Sequence, residues 1–182
     1  MADVKQTTGF PPLLLNKYVL AQLELHGLYT PNLNSGMSSP IVTIQSTNID
    51  DLFKEIAIPE GGTFLIAYDR LVRYKPSTFY RHKREQLIYT IHALDEAVGL
   101  DISRVVIEAL DRQDSSGQDI NQWLIENKAS LGNLNNNVFF HSSRVFQVDE
   151  NRDLVELGSI KFNYRGKLII EYDYHTTGTL YT

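Results

Sequence analysis

The sequence predicts an α+β domain, with an antiparallel or mixed sheet of about four main strands flanked by helices in the order α-β-β-α-β-β. Two observations carry this. Stretches rich in aromatic and β-branched residues arrive in adjacent pairs, "TFLIAYDRLVRY" with "EQLIYTIHAL" and "VFFHSSRVFQVDE" with "SIKFNYRGKLIIEYDYH". Helical spacing falls before the first pair and between the two, not after each strand as a doubly wound parallel sheet requires. No internal repeat is visible. The whole of 1–182 reads as one domain: an extended arm over 1–12, a helix, loop and short elements over 13–62, the core over 63–175, and a tail over 176–182.

Residues 1–12 lack periodicity, and "GFPP" cannot begin a helix interior or a central strand. In "LLLNKYVLAQLELHGL", Leu15, Val19, Gln22/Leu23 and His26 recur at helical spacing, and Gly27 is the stop signal. "YTPNLNSGMSSP" is a long turn-rich loop, of the kind that is functional or orders on contact. "IVTIQS" suits a short strand, and "NIDDLFKEI" a short helix capped by Asn48 or Asp50. In "EQLIYTIHAL", Leu87, Tyr89, Ile91 and Ala93 take one face and Gln86, Ile88, Thr90 and His92 the other. "DISRVVIEALDRQD" places Ile102, Val105, Val106, Ala109 and Leu110 on one helical stripe, with Asp101 as the expected cap. Helical spacing restarts at Ile120, Trp123 and Leu124, behind a Ser116/Asp119 capping box. Gly166 in "YRGK" is expected to supply the unusual backbone angle of a turn or bulge.

Composition narrows the function. The chain has no cysteine, which removes disulfides, thiol catalysis and cysteine-based metal sites. Its 17 basic and 22 acidic residues give a net charge of −5, against the basic excess of a broad nucleic-acid grip. No apolar run approaches the ~20 residues that span a bilayer. The expected protein is soluble and cytoplasmic when made, without membrane contact.

Chemical motifs are sparse. No phosphate-cradling glycine loop, Gly-x-Ser-x-Gly elbow or HExxH pattern appears. Asp173 and His175, two apart in "YDYH", are the best metal candidates, with His92 or His141 as a third ligand. Strand alternation alone explains them as polar residues opposite Tyr172 and Tyr174, so no metal, cofactor or catalytic residue is expected, and a small metal-dependent hydrolase using Asp173, His175 and one further histidine is the alternative. The acid pairs Asp50/Asp51, Asp95/Glu96 and Asp149/Glu150 sit at element boundaries, where caps and turns favour carboxylates. The basic run His82, Lys83, Arg84 has Glu85 beside it, as expected of a solvated approach to a strand.

Residues 63–175 resemble the tail terminator, or tail-completion, proteins of tailed bacteriophages, especially contractile-tailed ones. The resemblance rests on "FLIAYDRLVRY", "KREQLIYTIHALD", "VVIEALDRQDSSGQDINQWL", "NVFFHSSRVFQ", "RDLVELGSIKF" and "KLIIEYDYH". The inferred element order is also that family's, a fold shared with neck and sheath-capping proteins. The resemblance implies a non-enzymatic homo-oligomeric ring, a hexamer as a rule. Such a ring caps the tail tube or sheath and meets the head connector in the virion, with DNA only passing through its lumen. Residues 1–62 depart from the pattern. Contacts with neighbouring subunits or the tube are expected from Tyr29, Asn32, Asn34 and Met37 of the long loop. The basic run His82, Lys83 and Arg84 is expected to meet Asp149 and Glu150 of an adjacent copy.

Overall fold

Pro11 and Pro12 open helix α1 (Pro11–Leu25) in a computed structural model that describes residues 11–30, 40–43, 64–71, 82–111, 118–131, 138–151, 155–157 and 160–176. The arm expected over 1–12 therefore gives way to helix earlier than its prolines implied. A first-turn N–H has no intrahelical partner in any case, and the fixed φ of proline suits that turn. The helix stops where expected: Gly27 takes φ 71°, and the Leu28 N–H donates to the Leu23 carbonyl at 2.9 Å. His26, expected on the helical stripe, lies in this turn and is exposed.

Among the described residues, the remaining elements are β1 (Ile41–Thr43), β2 (Phe64–Leu71), β3 (His82–Ala93), α2 (Glu96–Leu110), α3 (Gln118–Glu126), α4 (Lys128–Leu131), β4 (Val138–Asn151), β5 (Val155–Leu157), β6 (Ile160–Phe162) and β7 (Tyr164–Thr176). Five strands form one mixed sheet in the order β1-β2-β3-β7-β4. The four main strands are antiparallel neighbours, and the short β1 runs parallel to β2. Strands β5 and β6 make a separate two-stranded ribbon. The helix expected over 48–56 and Ser116 of the expected capping box lie outside the described residues.

One face of the sheet carries the core. Leu87, Tyr89, Ile91 and Ala93 of β3 are fully buried, as their alternation predicted, and Leu168, Ile170, Tyr172 and Tyr174 of β7 join them. Leu14, Leu15, Val19 and Leu23 of α1 and Ile102, Val106 and Leu110 of α2 complete the cluster. Tyr18 meets Trp123 edge-on at 5.6 Å, which ties α1 to α3. Two polar pairs lie inside this layer. The Tyr89 hydroxyl donates to Asn16 Oδ1 at 2.5 Å, and Ser103 Oγ and the Tyr164 hydroxyl lie 2.6 Å apart.

Helix α2 begins a turn and a half earlier than expected. Asp95, not Asp101, is its cap: Oδ1 accepts from the N–H groups of Ala97 (2.9 Å) and Val98 (3.2 Å). Asp101 lies inside the helix, exposed. Gly99 sits within the first turns, where the Tyr164 ring occupies the space a Cβ would fill. The same tyrosine explains Gly166. That residue is not a turn or bulge in β7; it pairs in register with Ile91 and Glu150. A Cβ there would meet the Tyr164 hydroxyl at 2.7 Å and Ser103 Oγ at 3.0 Å. One aromatic wedge thus demands both glycines.

Candidate functional site: the open face of the sheet

The face of β3, β7 and β4 turned away from the helices carries the polar side chains. On β7 it presents Glu171, Asp173 and His175, the alternates of buried Tyr172 and Tyr174. Register sets Arg84 and Ser142 beside Asp173, and Gln86 and Arg144 beside Glu171. Arg84 grips Asp173 with two bonds, Nε to Oδ1 at 2.6 Å and Nη2 to Oδ2 at 2.7 Å, while Ser142 Oγ donates to Oδ2 at 3.0 Å. Arg144 donates to Glu171 Oε1 from Nε (3.0 Å) and Nη2 (2.6 Å), and Gln86 reaches Oε2 at 3.3 Å. The bond to Asp173 is the main reason the Arg84 guanidinium is held above its usual basicity, against some desolvation. Arg84, Ser142, Arg144, Glu171 and Asp173, with Ser143, line an open depression of about 210 Å³.

Two bulges shape β4. The register shifts between Phe140 and Ser142 and again between Val145 and Gln147, so His141 and Phe146 are extra residues on this edge strand. The first bulge lets His141 and Ser142, consecutive in sequence, both meet side chains of β7: His141 Nε2 lies 2.6 Å from His175 Nδ1. The second accompanies Phe146, 59% exposed with Arg144 over its ring at 5.8 Å. Phe139 and Val148, each 44% exposed, lie on either side along the strand. Helix side chains bond the outer edge of β4. Asn121 accepts from the Phe140 N–H (3.0 Å) and donates to its carbonyl (2.8 Å), and Asp111 Oδ1 accepts from the Val145 N–H (3.1 Å).

The burial of two titratable groups, both named from the sequence, was not foreseen there. Glu85 is fully buried, its carboxylate accepting from the hydroxyls of Tyr172 (2.7 Å) and Tyr174 (2.9 Å). His92, on the mixed face of β3, is also fully buried and packs on Phe162 of β6 at 5.2 Å. Burial, helped by the nearby Arg165 charge, lowers its pKa to about 3, so the ring is neutral.

The expected contact residues are distributed unevenly. Tyr29 belongs to the core, 7% exposed, so the surface role expected of it does not fit this chain. Asn32, Asn34 and Met37 lie outside the described residues. His82 starts β3 opposite His175. Lys83 is half-buried, its Nζ 6.0 Å from the Tyr174 ring centre. Arg84 is already bonded within the chain. Asp149 is exposed opposite Lys167, and Glu150 registers with Gly166. Lys83 and Asp149 are thus seven rungs of β7 apart, about 24 Å at roughly 3.4 Å per residue. Of the metal candidates, the fold brings His141 to His175 and places Asp173 on their strand face, while His92 is at the far end of the sheet. Among the described residues, no group of three or more His, Asp or Glu side chains is arranged to hold a metal ion. No protein-family model and no curated protein matches the chain.

Proposed function

We propose that this chain is a structural subunit of a bacteriophage tail. In this reading it is a tail terminator, or a neck or sheath-capping protein of the same fold, that closes into a ring. The ring caps the tube and receives the head connector, and DNA passes through its lumen. The resemblance over residues 63–175 supplies the family. The observation that carries the reading is the character of the open face. Its two central carboxylates are each bonded by an arginine and a second donor, an arrangement suited to shape recognition more than to proton transfer. Beside them the edge strand exposes Phe139, Phe146 and Val148, apolar anchors within a charged rim, the composition of a protein interface.

A ring supports attachment by avidity: several copies of one weak site engage a tube of matching symmetry together. The test is light scattering on size-separated protein, alone and with tail tubes. A closed ring, lost in Phe146→Asp with an unchanged melting curve, supports the proposal. A protein that stays monomeric at every concentration, and fails to bind tubes, rules it out.

A further inference from the structure

We propose that His141 and His175 form a chelating site for one late transition-metal ion, with zinc, nickel or copper(II) as the matching class; the inference does not depend on the tail reading. The facing nitrogens are 2.6 Å apart, closer than the roughly 2.7–3.2 Å of ordinary N–H···O bonds. One ring donates to the other there, so a proton already occupies the position an ion would take. If the donating ring carries its proton on its other nitrogen, both lone pairs face the same point, and no net proton is released. Two donors bound tetrahedrally at about 2.0–2.1 Å lie about 3.3 Å apart, so the pair must open by about 0.7 Å. His141 is exposed and can make that movement, and water can fill the remaining positions.

The site is built into the fold. The bulge after Phe140 aims His141 at His175 while leaving Ser142 for Asp173. Asn121 fixes that bulge by bonding both backbone groups of Phe140. Phe139 packs its ring 5.3 Å from each histidine, which limits their rotation. Imidazole nitrogen selects zinc, nickel and copper over magnesium and calcium, which prefer oxygen.

The experiment titrates untagged protein with zinc, nickel and, as a comparison, magnesium, read by calorimetry and by histidine side-chain NMR. The expected result is saturable binding of one zinc or nickel per chain, with shifts at His141 and His175 and none with magnesium. His141→Ala and His175→Ala should each weaken binding about tenfold or more, as losing a direct ligand exceeds an outer-shell loss. Both variants should keep the metal-free melting temperature. Replacement of His26, an exposed histidine elsewhere, should change nothing. Absence of saturable binding, binding retained by both variants, or equal weakening by His26→Ala would overturn the site.

Discussion

Glu85 shows how phase outranks residue type. It stands two before Leu87 and four before Tyr89, so period two alone puts it on the core face. The basic residues around it draw it, in sequence, into a solvated cluster instead. What the sequence cannot supply is the pair of tyrosine hydroxyls from another strand that makes its burial tolerable. Arg84 illustrates the reverse: its exposure to solvent is legible, but its bidentate partner 89 positions away is not. His92 provides a prediction at this scale. Unfolded histidine titrates near 6.5, whereas folded His92 stays neutral down to about 3, so the unfolded state binds more protons between those values. Stability from this group is therefore intact above about pH 6.5 and is lost as pH falls, by about 2 kcal/mol between pH 7.5 and pH 5. Urea unfolding of His92→Leu should show a correspondingly shallower decline than wild type over that range. Parallel declines would mean that His92 is not held neutral in the fold.

Elements were legible wherever their signal was local. The period-two faces of β3 and β7 and the stripe of α2 follow from spacing, and the stop after α1 follows from one glycine. The start of α2 was misread because its cap is Asp95 and not Asp101, and the straight run of β7 was misread at Gly166; the reason for that glycine, as for Gly99, is Tyr164, packed across from α2. Gly99→Ala should consequently destabilise the fold although alanine is the better helix former, by roughly 1–3 kcal/mol of overpacking. A variant as stable as wild type would show that the wedge yields easily. The bulges of β4 were equally hidden, since a bulge exists only relative to the strand beside it. Asn121 is the residue to test there. Asn121→Ala leaves the N–H and carbonyl of buried Phe140 without their amide partner and should cost about 1–3 kcal/mol. It should also raise hydrogen exchange at Phe140 ahead of neighbouring core amides; unchanged exchange there would show that Asn121 does not hold the bulge.

At the scale of the whole molecule, the two charged ends of the sheet bear on how copies can meet. A closed ring uses heterologous contacts, in which two different patches of one chain face each other across every joint. In the proposed ring, Lys83 and Asp149, about 24 Å apart along the strands, would provide such a pair at opposite ends of the sheet. Arg84, though part of the same basic run, is a poor probe. Replacing it with glutamate would set an acid beside Asp173 and Glu171 and disturb the fold itself. Lys83 and Asp149 are better suited because neither is part of the arginine–carboxylate ladder. Lys83→Glu alone, and Asp149→Lys alone, should each place like charges across the joint. Either should slow ring formation and alter its salt dependence, while lowering the melting temperature only slightly, through the lost contact with the Tyr174 ring in one and a lysine set opposite Lys167 in the other. The double variant restores opposite charges with the sign exchanged, so it should recover much of the assembly that either single variant loses. Light scattering across a salt series reads all four proteins. Wild-type assembly by both single variants, or a double variant worse than either, would mean that this pair is not the joint.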